Sequence, residues 1–107
     1  MGIYSTKPVQ EISKEEFKHL IRGKKVVILP HAVWHLSNQQ RKVFNVGELI
    51  NIVKRENPRK VYLQENGRYA AYYRKSDGYR KLIIELMEDK ANVVTFVDAN
   101  EIPKYKL

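Results

Sequence analysis

A chain of 107 residues with no cysteine has room for one domain with one modest core, and it excludes disulfides, thiolate metal sites and cysteine nucleophiles. No apolar run approaches the roughly 20 residues of a membrane-spanning helix, and the N-terminus lacks a signal-peptide apolar stretch, so a cytoplasmic protein without a membrane partner is expected. The formal charge of +8 points toward polyanionic partners, with a solvated lysine-rich surface as the plain alternative.

Residues 1–12 contain Pro8 and no apolar period, and they read as an irregular arm. Ser13 and Glu16 form a capping box that opens a short amphipathic helix bearing Phe17, Leu20 and Ile21. Gly23 closes it. The run Lys25-Val26-Val27-Ile28-Leu29 is expected as a buried strand or a segment along a sheet edge. Pro30 then starts a second helix over 31–36, which places His31 and His35 on one face. Asn45 caps a third helix with Glu48 three residues on, and Val46, Leu49, Ile50 and Val53 supply its core-facing stripe. Asn57-Pro58 ends it.

From residue 59 to 98 the period changes to two. Four runs rich in Val, Ile, Tyr and Phe are separated by Glu65-Asn66-Gly67, Ser76-Asp77-Gly78 and Glu88-Asp89-Lys90-Ala91. Asn-Gly and Asp-Gly tolerate the positive φ of tight reversals, so this stretch reads as a four-stranded antiparallel meander. Leu82, Ile84 and Leu86 are expected to seat the helices, while Lys81, Glu85 and Thr95 look toward solvent; in the last strand, Val94 and Phe96 are separated from Val93, Thr95 and Val97. The tail 99–107, with Pro103, is a loose arm or a small edge element. The expected fold class is α+β, with N-terminal helices on one face of a four-stranded antiparallel meander. It forms a single domain, 1–107, divided into arm (1–12), helical part (13–58), meander (59–98) and tail (99–107).

The positive charge is concentrated on the first two hairpins. Between Arg59 and Lys81 stand Arg59, Lys60, Arg68, Arg74, Lys75, Arg80 and Lys81 against Glu65 and Asp77 only. Tyr62, Tyr69, Tyr72, Tyr73 and Tyr79 are interleaved with them. Cations neutralise phosphates and aromatic faces stack on unpaired bases, so the mixture suits a nucleic-acid surface.

The remaining chemistry is sparse. His31 and His35 have helical metal-ligand spacing, but no Glu lies between them and His19 is the only further histidine, so no metal and no cofactor are expected. An imidazole packed beside Trp34 is the structural alternative to an acid–base or phosphate-contacting role. Glu85 is the best-placed carboxylate for a general base. Its plain alternative is an ion pair with a lysine on a neighbouring strand. Arg41, Arg68, Arg74 and Arg80 offer planar forks for phosphate.

In order, Pro30-His31-Ala32, Arg41, the capped helix 45–53, Asn57-Pro58, Val61-Tyr62, Asn66-Gly67-Arg68-Tyr69 and Val93-Val94-Thr95 make a pattern. It resembles the small microbial proteins allied to BrnT and RelE toxins, in the barnase/EndoU/colicin/RelE (BECR) group of ribonuclease-like folds. The resemblance implies a site on the sheet face opposite the helices, and a ribonuclease-like toxin acting on RNA phosphodiesters without metal. His31 would be the acid or base, Arg41, Arg68 and Arg80 would stabilise phosphate, and Glu85 and Thr95 would assist from the sheet. His35 stands where the family commonly has arginine. A protein antitoxin would be a partner. The second expectation is a non-catalytic nucleic-acid-binding module, RNA favoured, using His35, Arg68, Tyr72, Tyr73, Arg74, Arg80 and Lys81. A structural protein whose charge only keeps it dissolved is the third.

Overall fold

The computed structural model describes residues 5–34 and 45–107. The chain runs β1 (Pro8–Ile12), α1 (Lys14–Ile21), β2 (Lys25–Ile28), a 3₁₀ turn (Pro30–Val33) and α2 (Val46–Arg55). Strands β3 (Lys60–Gln64), β4 (Tyr69–Lys75), β5 (Gly78–Leu86) and β6 (Lys90–Ala99) follow. The fold is α+β, built on one mixed sheet in the order β1-β3-β4-β5-β6-β2. The expected antiparallel meander is its centre, β3 to β6. Two strands widen it: β1 pairs antiparallel with β3, and β2 pairs parallel with β6.

The additions correct the expected four-stranded sheet, and their sequences explain why one was missed. In β1 only Ile12 is buried, so no alternation announces a strand, and its ladder is irregular between Pro8 and Gln10. Proline has no amide to donate, which suits an edge strand. β2 is the edge segment anticipated from its apolar run, and Val26 is its buried residue.

The cap half of each anticipated capping box forms, while among the described residues neither glutamate side chain accepts from the cap amide. The Ser13 hydroxyl accepts from the Glu16 amide at 3.1 Å, and the Asn45 Oδ1 accepts from the Glu48 amide at 3.3 Å. Each satisfies one of the amides that a helix start leaves open. The expected second helix is, within the described residues, the single 3₁₀ turn; positions 35 and 36 lie outside them.

One face of the sheet carries the main core. Phe17 and Ile21 of α1 and Leu49, Ile52 and Val53 of α2 pack with Val61, Ala71, Tyr73, Leu82, Ile84, Val93 and Phe96. Full burial of each large aliphatic contributes about 1.5–3 kcal/mol. The stripe of α2 is rotated from the expected one: Ile52 is buried, Ile50 is half-buried and Val46 is exposed. Faces in β6 also differ from simple alternation. Ile83 pairs with Thr95 but Ile84 pairs with Val93, so Val94 is an inserted bulge residue. The bulge puts both Val93 and Phe96 into the helix-side core.

The turns are built differently from the dipeptide expectation. No non-glycine described residue has positive φ. Gly67 alone takes the left-handed conformation in the first hairpin, at φ +86°. Its amide donates to the Gln64 carbonyl, and the Gln64 amide donates to the Arg68 carbonyl. This is the three-residue loop with its glycine last. In the second hairpin Lys75 pairs with Gly78, so Ser76 and Asp77 are the central residues and Gly78 begins β5.

Candidate nucleic-acid interface

Alternation along β4 and β5 sends Tyr72, Arg74, Tyr79, Lys81 and Glu85 to the face away from the helices. Pairing sets Tyr72 against Lys81 and Arg74 against Tyr79. The Arg74 guanidinium lies 5.3 Å from the Tyr79 ring centre, and the Lys81 ammonium lies 5.7 Å from that of Tyr72. Both are within cation–π range. Among the described residues neither cation has a carboxylate at ion-pair distance. This strip is where positive charge and aromatic surface meet.

The centre of the same face is covered. Tyr62, Ala70 and Tyr72 form a second buried cluster with Tyr79, Ile83, Ala99 and Ile102 packed against it. Residues 100–107 have no regular structure, yet they are a strap rather than a loose arm. The Tyr62 hydroxyl donates to the Pro103 carbonyl at 3.0 Å, and Tyr105 meets the Tyr62 ring edge-on at 4.9 Å. Burial pushes the Tyr72 phenol up to about 12, with Tyr105 adding to the shift. Burial likewise raises Tyr62.

These facts correct the expected base-stacking residues. Tyr72 is only 2 % exposed beneath the strap, and Tyr73 is 1 % exposed in the helix-side core. Burial drives the Tyr73 phenol far up, and no face of it is open to a base. Tyr79, half-buried beside Arg74, is the aromatic residue that the strip offers instead. Its place opposite Arg74 depends on hairpin register, which composition alone does not fix.

Arg80 also changes sides. Its neighbour in sequence, Lys81, faces outward, and Arg80 lies with Phe96 on the helix side, 5.8 Å from the ring. There Asp98 accepts from Arg80 at 3.2 Å and from Lys75 at 3.0 Å. Burial works against ionisation of Asp98, but the bonds from Lys75 and Arg80 outweigh it and hold the carboxyl below its ordinary value. Arg80 is thereby neutralised, and it is parted from Glu85 by the thickness of the sheet.

Glu85 pairs with Arg68 at 3.7 Å, an arginine across the hairpin rather than the lysine anticipated. Thr95 stands opposite Ile83 on the same face. Lys81 and Glu85 share that face but are four residues apart along one strand, about 13 Å at 3.3 Å per residue. They do not converge. His31 is exposed at the 3₁₀ turn, with its ring 4.1 Å from that of Trp34, itself 62 % exposed. Among the described residues no hydrogen bond or ion pair joins His31 to Glu85 or Arg68. Arg41 and His35 lie outside the described residues. Among the described residues no helix is long and apolar enough to cross a membrane.

No protein-family model, no curated protein and no solved structure matches this chain.

Proposed function

We propose that the protein is a nucleic-acid-binding module whose contact surface is the outer face of β4 and β5, with RNA as its preferred ligand. The observation that carries this reading is the strip of Arg74, Tyr79 and Lys81. Two cations without acidic partners among the described residues are held over tyrosine rings on adjacent strands, with Arg68 further along the same face. Cations on an aromatic platform bind a sugar–phosphate backbone while leaving a ring for stacking. The strip needs no catalytic residue to do this.

Fluorescence anisotropy of labelled single-stranded RNA and DNA across a salt series tests it. Arg74→Glu/Lys81→Glu should weaken binding and lower the salt slope, by about one unit for each phosphate no longer neutralised. Affinity that is flat across the salt series, or unchanged in the double variant, would count against the module.

A second reading, a metal-independent ribonuclease of the BECR type, is favoured by one observation. Glu85 and Arg68 form a half-exposed pair on the same open face as Thr95, a carboxylate beside a cation of the kind that phosphodiester cleavage uses. Cleavage of labelled RNA in EDTA that disappears in both Glu85→Gln and His31→Ala would establish it. Binding without turnover would leave the module alone.

A further inference from the structure

A second concentration of charge lies away from the outer face, where the end of α1, the start of β2 and the end of α2 enclose a cleft of about 610 Å³. Its cations are Lys18, Arg22, Lys24, Lys25 and Lys54, and among the described residues no carboxylate lines it. The contrast is with the smaller hollow of about 330 Å³ beside β4 and β5, where Glu48 and Glu56 stand among Arg74, Lys75 and Arg80. That hollow mixes both signs of charge; among the described residues the cleft carries one.

Ordinary structural demands account for part of the cluster. Lys18 donates to the carbonyls of Lys54 at 3.3 Å and Glu56 at 3.0 Å, closing the end of α2. Cations at helix C-termini are favourable. Lys24 donates to the carbonyls of Met87 and Glu88 at 2.7 and 2.8 Å, closing the β5–β6 turn. These bonds fix two ammonium groups in place without cancelling their charge. They do not account for Arg22, Lys25 and Lys54, which are exposed and have no carboxylate at ion-pair distance among the described residues. Moreover, Lys25 stands in register with Lys90 across the β2–β6 ladder, an arrangement that costs stability unless something offsets it.

We infer that this cleft binds a polyanion carrying two or more phosphate groups. Two pre-positioned ammonium groups and three freer cations surround one space, and Ile21 and Val26 supply an apolar floor. A less polar floor strengthens attraction between the cations and an anion above it. The volume falls in the range of small-ligand sites. The occupant is either a free polyphosphate compound or the backbone of a nucleic acid, since both present the same spaced phosphates.

Inorganic triphosphate is the probe, titrated into the full chain at low salt by calorimetry with amide chemical-shift mapping. Expected is saturable binding with the largest shifts at Arg22, Gly23, Lys25 and Lys54. Arg22→Glu/Lys54→Glu should weaken it about tenfold or more, while Arg74→Glu/Lys81→Glu should leave it within about twofold of the native chain. Among the described residues neither pair makes a side-chain hydrogen bond across the core, and matched melting curves would confirm that both variants fold. Absence of saturable binding, or equal weakening in the two variants, overturns the inference. A labelled RNA arm separates the sources. If triphosphate displaces RNA and the Arg22/Lys54 variant weakens it, the occupant is a nucleic-acid backbone. If RNA affinity is unchanged while triphosphate binding is abolished, the occupant is a free polyphosphate compound.

Discussion

Gly78 offers the sharpest test of how the outer strip is held. Its φ of +145° lies where L side chains rarely go, and an added Cβ would sit 2.7 Å from the Ala99 carbonyl oxygen. Gly78→Ala therefore meets two separate penalties. Backbone strain of this kind costs about 1–3 kcal/mol. Forcing an atom into close-packed surroundings costs about 1–3 kcal/mol more, because the end of β6 must move aside. Together about 2–6 kcal/mol is expected, against a total stability of about 5–15 kcal/mol for a domain of this kind. Gly67 is the internal control. Its φ is +86°, and an added Cβ meets nothing within 4 Å. Gly67→Ala should incur only the left-handed backbone penalty, about 1–2 kcal/mol. Urea unfolding of both variants beside the native chain, with shared slopes, measures the difference. If Gly78→Ala costs no more than Gly67→Ala, the contact with Ala99 does not constrain the hairpin.

The Tyr73 hydroxyl is buried with no hydrogen-bond partner among the described residues. Tyr73→Phe keeps the ring packing and should be neutral or stabilising by up to about 2 kcal/mol. A melting temperature lowered by more than about 4 °C would show that the hydroxyl is satisfied after all. Asp98 is held below its ordinary 3.8, so the unfolded chain takes up its proton first as pH falls. Its contribution is whole above about pH 4 and disappears as pH drops through the folded value. Because Asp98 is more than half exposed, Asp98→Asn should cost no more than about 1 kcal/mol at pH 7, and the gap should narrow as pH falls below about 4. A gap that stays the same as the pH is lowered would refute the linkage. Tyr62→Phe removes the bond to Pro103, at about 0.5–1.5 kcal/mol. Faster tryptic cutting at Lys104 and Lys106 is expected, and an unchanged rate would mean that ring packing alone holds the strap.

Local chemistry was legible where it acts locally. Ser13 and Asn45 cap their helices because a short oxygen-bearing side chain three residues before an open amide has few better partners. The β3–β6 meander was legible because its turn residues and β-rich runs agree. What could not be read depends on events distant in sequence. β1 is a strand because β3 presents an edge to it, and its own pattern of one buried residue in five says nothing of that. The bulge at Val94 moves Val93 to the core, and a strict period of two cannot foresee an inserted residue. At the site, Tyr72, Tyr73 and Tyr79 are alike in composition. Their fates diverge because α2, the strap and solvent cover different parts of the sheet.

Placing the strap on the sheet changes what the outer face can do. A bare tyrosine platform would let bases stack across β3 and β4, and binding would be governed by aromatic area. With Tyr62 and Tyr72 buried under Ile102, Pro103 and Tyr105, the open surface narrows to Arg74, Tyr79 and Lys81 along the β4–β5 hairpin. Charge then outweighs stacking at such a surface. The cleft beside α1 and α2 is also rich in charge, but there two ammonium groups, those of Lys18 and Lys24, are fixed by backbone carbonyls rather than laid over rings. If both surfaces bind phosphates as proposed, a flexible chain would use the first at any register, whereas the second would favour phosphates spaced to meet Lys18 and Lys24. If the occupant of the cleft is a nucleic-acid backbone, one strand would lie loosely along the hairpin with a segment of it fixed in the cleft. The salt slope of native binding decides this: removing the charge of either site should lower it separately, and the two decrements should add if both sites touch the same strand.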